Sequence, residues 1–270
     1  MNTSESKEIL ADVIKIVKKA GKTVLSFYDT DYAIKDKGKE NPVTQADLES
    51  EHIILRGLSG YGYGVLSEET SDDKKRVNME RAWVIDPMDG TKDFIDKTGE
   101  FTIMVGLVEK GEPILGVIYQ PVEHIVYYAW KNNGAYKKFK KDKPLKLKVS
   151  KEKDYGSVTM FSSRFHRSKE EDKLAKKLGI GKITTCGSSL KVCRIAEGIG
   201  DLNFNPSNKT WEYDICASDI ILREAGGVLT DSKGMAYKYN KDNPRNENGY
   251  VASNGVMHDE IIKEIKKIMK

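Results

Sequence analysis

The run that most restricts what this chain can fold into is Trp83-Val84-Ile85-Asp86-Pro87-Met88-Asp89-Gly90-Thr91. Residues 82–85 are continuously apolar, the pattern of a short buried strand, and Asp86-Pro87 is expected to stop it. Two carboxylates three residues apart follow at once, although a buried strand excludes acids unless their charge is compensated. With Pro87 bending the chain, Asp86, Asp89 and the Met88 carbonyl can converge on one point. Gly90 allows a ligand close to the backbone, and Thr91 stands where a helix over residues 92–95 begins. Free amides at a helix N-terminus bind anions. Carboxylates and a carbonyl oxygen beside such a cradle are what a hard divalent cation carrying a phosphate requires. In isolation, the simpler reading of the same residues is a capped turn after a strand.

Three further segments carry acids. Leu66-Ser67-Glu68-Glu69 offers an acidic pair behind a short apolar stretch, Trp211-Glu212-Tyr213-Asp214 an acid at a helix start, and residues 41–47 end in Asp47. Taken singly, Glu68-Glu69 is a solvated pair, Asp214 the N-cap of a helix beginning at Ile215, and Asp47 a first-turn acid of its own helix. Their joint occurrence with the Asp86–Thr91 run points to a site.

Around these segments the pattern predicts two halves. Ile9, Leu10, Val13, Ile14, Val17, Ala20 and Val24 recur at helical spacing. Residues 31–41 are polar and read as a mobile loop, and a second helix follows Thr44 with Ala46, Ile53, Ile54 and Leu58 inside. Residues 101–108, 114–119 and 125–130 read as an antiparallel meander, with a hairpin turn at Asn133-Gly134. Beyond residue 150 the elements alternate: strands at 158–161 and 183–185, helices at 169–178, 189–197, 215–224 and 261–269. Residues 1–150 are therefore expected to form an α+β half carrying most of the acids, and 151–270 an α/β half carrying Asp214.

The formal net charge of +4 is local. Residues 137–153 hold nine lysines against Asp142 and Glu152, an excess of +7, which leaves about −3 for the rest of the chain. The run reads as a solvated connector with strand-like alternation at Leu145, Leu147 and Val149. With only Phe139 interleaved it lacks the aromatics of a nucleic-acid platform. No run of 18 apolar residues is present for a membrane span, and Met1–Lys7 is polar, unlike a secretory signal. The three cysteines, Cys186, Cys193 and Cys216, show no Cys-x-x-Cys spacing, so neither a disulfide framework nor a zinc site is expected, and a reducing cytoplasm is.

From about Ile9 to Asn254, the chain resembles the lithium-sensitive, magnesium-dependent phosphatases of the inositol monophosphatase superfamily. The Asp86–Thr91 run, with Asp214 and its helix, carries that resemblance. It implies an αβαβα layered sandwich of α+β and α/β halves, as in inositol monophosphatase and fructose-1,6-bisphosphatase. It implies two or three Mg2+ ions held by Glu68, Asp86, the Met88 carbonyl, Asp89 and Asp214. Thr91, supported by Asp47 and with Glu68 contributing, would orient or deprotonate the attacking water. The Gly90 and Thr91 amides would cradle the phosphate, with Asp214 also facing the substrate, and Lys35 or Lys37 would supply a closing cation.

Two more segments are similar to the bisphosphate nucleotidases of that superfamily. In Ser162-Ser163-Arg164-Phe165-His166, Arg164 can pair with a phosphate and His166 can stack on or bond a base. In Gly187-Ser188-Ser189-Leu190-Lys191, the Gly187, Ser188 and Ser189 amides with Lys191 can hold a second phosphate away from the metals. From the local sequence alone, it is an equal reading that Ser162 or Ser163 caps a turn, that Ser188 and Ser189 cap a helix, and that His166 is a surface histidine. Phe165 stands where that pattern has serine, Tyr213 where it has tryptophan, and Ser218 near the helix start is expected to narrow the site. The implied activity is hydrolysis of adenosine 3',5'-bisphosphate to AMP and phosphate by a monomer or homodimer. The alternatives are an inositol or sugar phosphatase, and a regulatory member of the fold that binds RNA or protein.

Overall fold

The computed structural model describes residues 3–28, 34–36 and 42–269. Helix α1 (Thr3–Tyr28) buries Ile9, Val13, Val17, Ala20 and Val24, a stripe repeating every three or four residues. The short strands β1 (Ile34–Asp36) and β2 (Pro42–Thr44) pair antiparallel, so part of the expected loop at 31–41 is strand; the rest lies outside the described residues. Helix α2 (Gln45–Leu58) packs beside α1 on one face of a seven-stranded sheet.

That sheet runs in chain order: β3 (Gly64–Ser67), β4 (Arg81–Asp89), β5 (Thr102–Glu109), β6 (Glu112–Gln120), β7 (Ile125–Trp130), β8 (Ala135–Phe139) and β9 (Leu145–Lys146). Only β3 and β4 pair parallel; the other ladders are antiparallel. Part of the lysine run is thus sheet and not connector. Lys137 and Lys138 lie in β8, and Lys137 is paired to Glu197 at 2.6 Å. Leu145 and Leu147 do not share one environment: Leu145 is exposed and Leu147 buried. A two-residue edge strand preceded by Pro144 and carrying Lys146 discourages pairing with another sheet.

Pro87 does not end its strand. β4 continues to Asp89, and the register with β5 slips between Asp86↔Met104 and Asp89↔Thr102. Pro87 and Met88 of β4 lie opposite the single residue Ile103 of β5, so one extra residue is accommodated as a bulge. Proline is tolerated there because the ladder is interrupted and β3 has already ended opposite Ile85.

The one-turn helix α3 (Thr91–Ile95) lies between β4 and β5, and after β9 the chain continues with β10 (Thr159–Ser162), α4 (Lys169–Leu178), β11 (Lys182–Thr185), α5 (Leu190–Ala196) and β12 (Leu202–Asn205). A small ladder joins β13 (Thr210–Trp211) to β15 (Arg245–Asn246) on either side of α6 (Glu212–Glu224) and β14 (Val228–Thr230). β16 (Tyr250–Ser253) and α7 (His258–Ile268) complete the chain. The second sheet has the order β11-β10-β12-β16-β14, with β10 parallel to both neighbours and β16 antiparallel to both of its own. Three hydrophobic clusters fill the gaps between layers: α1 and α2 on the large sheet, α5 and α6 between the sheets, α4 and α7 on the small sheet. This is the expected αβαβα sandwich.

The depth of α6 is set by glycine. Gly106 and Gly116 are cross-strand partners on β5 and β6. A Cβ on the first would lie 2.6 Å from Cys216 Sγ, and one on the second 2.6 Å from the Ala217 carbonyl oxygen. The missing side chains form a hollow into which α6 sinks, carrying Asp214 down toward β4. Ser218 does not narrow the site: it is buried mid-helix, its Oγ donating to the Ile215 carbonyl.

Candidate active site

The bulge in β4 aims Asp86 and Asp89 toward the first turn of α6. Asp86 is buried, with Oδ1 accepting from the Met88 amide at 3.1 Å, whereas Glu68, Asp89 and Asp214 keep partial access to solvent. Gly90 takes a left-handed φ of 94° before α3, and Thr91 Oγ1 lies 3.5 Å from the Met88 carbonyl, at the outer limit of a hydrogen bond. Asp214 is not an N-cap. The helix starts at Glu212, and Asp214 in its first turn accepts from the Trp211 amide at 2.5 Å.

Helix α2 braces this corner from beneath. Ser50 Oγ donates to the Pro87 carbonyl at 2.7 Å and Asp47 is buried beside it. Glu51 accepts from Ser67 Oγ and from the Thr70 amide (3.0 Å) and hydroxyl (3.0 Å), holding the segment that carries Glu68. Neither Ser50 nor Glu51 stood out in the sequence. Their signal was available: with Asp47 they put three polar residues on the helix face that also carries Ala46 and Ile54.

The electrostatics tie these acids together. Desolvation, then the charges of Glu68, Asp89, Asp214 and Asp47, drive the Asp86 carboxyl well above the usual range. Asp214 is raised the same way, by desolvation and then Glu68 and Asp89. Desolvation also raises Asp89, opposed by Lys191 and the Ser189 amide. Among the described residues, no three His, Cys, Asp or Glu side chains are gathered into an assembled metal cage. The donor set nonetheless fits a hard divalent cation: oxygen ligands only, at one corner, carrying charge that each acid makes costly for the next.

The expected second phosphate site is arranged differently. Lys191 is buried, donates to the Ser188 carbonyl at 2.5 Å, and its charge acts on Asp89, Asp93 and Asp214. The Ser189 amide is given to Asp89 Oδ2 at 2.5 Å and the Gly187 amide to Glu100 Oε2 at 2.9 Å. Arg164 is held by Glu100 (2.5 Å) and Asp93 (3.4 Å). His166 is exposed and lines a separate open cavity of about 380 Å³ with Ser168, Asn205 and Ser207, which none of the clustered acids lines. Arg164 does not line this cavity. Lys37 and the side chain of Lys35 lie outside the described residues.

Cys186, Cys193 and Cys216 are unpaired and buried, and burial pushes the Cys186 thiol up to about 12, so none is an activated nucleophile. No helix of the described residues is long and apolar enough to cross a membrane.

A layered αβαβα fold with an acidic corner at a strand bulge defines a class, and comparison with known proteins agrees. The inositol monophosphatase family model matches residues 5–270, and the chain belongs to that family. It is 34% identical over 245 residues to the 3'(2'),5'-bisphosphate nucleotidase CysQ of Salmonella typhimurium, covering 86% of this chain and 94% of the relative. The protein of the same name from Haemophilus influenzae is 30% identical over 252 residues, covering 87% and 89%. The crystal structure of CysQ from Bacteroides thetaiotaomicron superposes with a TM-score of 0.80 at 29% identity, over 93% of this chain and 98% of that one. An IMPase from Thermotoga maritima shares the fold, with a TM-score of 0.81 at 24% identity over 97% and 98%.

Proposed function

We propose that this protein is a magnesium-dependent phosphomonoesterase that hydrolyses adenosine 3',5'-bisphosphate to AMP and phosphate. One observation carries the reading: buried Asp86 shares a corner with Glu68, Asp89 and Asp214, whose combined charge far outweighs that of Lys191. The activity named for the Salmonella and Haemophilus relatives supports the substrate class.

In this reading Glu68, Asp86, the Met88 carbonyl, Asp89 and Asp214 hold two or three Mg2+ ions. Bound there, the ions would acidify water and neutralise charge on the transferred phosphoryl group. Thr91 Oγ1, with Asp47 and Glu68, orients the attacking water. The Gly90 and Thr91 amides fix the phosphate oxygens, a positioning role that matters for a reaction with little covalent work for side chains. Arg164 reads the second phosphate.

A specific observation favours the runner-up, an inositol or sugar monophosphatase: the Gly187 and Ser189 amides and Lys191 are already engaged inside the protein. Phosphate release tests the chemistry. Activity should vanish in chelator and return with magnesium. Asp89→Asn should lose at least about a hundredfold in kcat, the scale on which a single electrostatic group acts, while still folding. Substantial turnover by the mutant or by metal-free protein would refute the metal-dependent mechanism.

A further inference from the structure

Glu100 lies just before β5 and had no part in the expected site, yet it joins the two halves beside the acidic corner. Its Oε2 accepts from Arg164 Nη2 at 2.5 Å and from the Gly187 amide at 2.9 Å. Asp93 supports the same junction: its Oδ1 accepts from Thr98 Oγ1 at 2.7 Å and faces Arg164 Nε at 3.4 Å. The fit is tight, since a Cβ on Gly187 would lie 2.6 Å from the Asp93 carboxyl carbon and 2.6 Å from the Glu100 carbonyl oxygen. Two residues on, the Ser189 amide donates to Asp89 Oδ2 at 2.5 Å, and Ser189 Oγ meets Thr102 Oγ1 at 2.8 Å. The loop from Gly187 to Ser189 is thus pinned at one end to Glu100 and at the other to Asp89.

We propose that Glu100 is a positioning residue for substrate specificity: it fixes the Arg164 guanidinium and the Gly187–Ser189 loop at a set distance from the acidic corner, so that Arg164 meets the second anionic group of a bisphosphorylated substrate. The proposal rests on the functional reading above for its substrate. Arginine presents five donors in a rigid fork. Nε and Nη2 are committed to Asp93 and Glu100, while Nη1 has no partner among the described residues and the side chain is 36% exposed. A guanidinium held on two sides is already ordered for a ligand on the third. Ordering a long side chain on binding costs about 0.5–1.5 kcal/mol, at most about tenfold in affinity.

Glu100→Ala should raise KM for adenosine 3',5'-bisphosphate about tenfold, with a much smaller change in kcat and in the specificity constant for AMP. In an Arg164→Ala background the same substitution should cost far less, because the two residues act as one unit. Glu100→Gln keeps an acceptor for the Gly187 amide without the charge, and should recover part of the KM. Hydrogen exchange provides a readout that needs no substrate: the Gly187 amide should exchange faster in Glu100→Ala and be restored in Glu100→Gln. A lower KM in Glu100→Ala would mean that Glu100 masks Arg164, and would overturn the proposal. So would equal losses on both substrates, additive effects in the double mutant, or unchanged exchange at Gly187. Wild-type turnover of the bisphosphate no better than that of AMP would instead count against the functional reading, with the exchange experiment still deciding whether Glu100 positions the loop.

Discussion

Replacing Lys191 by methionine separates the role the structure gives this residue from the one its sequence suggested. The side chain is buried, its Nζ donates to the Ser188 carbonyl at 2.5 Å, and its charge acts against those of Asp89, Asp93 and Asp214. Methionine fills similar volume, so packing is largely kept. A hydrogen bond from a charged group contributes about 1.5–3 kcal/mol. At roughly 2 °C per kcal/mol for a chain of this size, Lys191→Met should lower Tm by about 3–6 °C in chelator. Magnesium supplies positive charge to the same acids, so the deficit should shrink when the ion is present. Turnover should fall alike for bisphosphate and single-phosphate substrates. Differential scanning calorimetry with and without magnesium, beside kinetics on both substrates, decides the matter. An equal Tm deficit in both conditions would refute the electrostatic coupling, and a loss confined to the bisphosphate would return Lys191 to a remote phosphate site.

Two other outcomes follow from the packing and the buried acids. Gly116→Ala places a Cβ against the Ala217 carbonyl oxygen and should cost about 1–3 kcal/mol in denaturant melts, with reduced activity because α6 and Asp214 are lifted; an unchanged midpoint would show that α6 can yield. Desolvation raises Asp219 to about 6 and Glu212 to about 7. A carboxyl whose folded value is raised binds its proton more tightly in the native state, so its contribution is present below the ordinary carboxylate value and lost as pH rises through the folded one. Metal-free protein should therefore lose stability between about pH 4 and 7, and rising stability over that window would contradict the direction.

Much of this was legible because it was local. The stripe of α1, the meander β5–β7 and the acids on either side of Pro87 are each written in consecutive residues. The strands β12, β14 and β16 were not foreseen: each has only three or four residues and owes its pairing to distant chain. Proline looked like a strand end because nothing local announces a bulge. Glu100 escaped notice for the same reason, since its meaning lies in Arg164 and Gly187, which only the fold brings to it. Lys191 points inward from helix α5, to the Ser188 carbonyl and the charges of Asp89, Asp93 and Asp214, a direction no spacing rule gives.

The most direct test of the functional reading is the ratio of specificity constants for adenosine 3',5'-bisphosphate and inositol 1-phosphate, measured on wild-type protein with saturating magnesium. If Arg164, held by Glu100, reads a second phosphate, the ratio should be about ten or more, the loss expected from removing one charge-assisted contact. A ratio near or below one would contradict that reading and transfer the protein to the inositol and sugar monophosphatases of the same family.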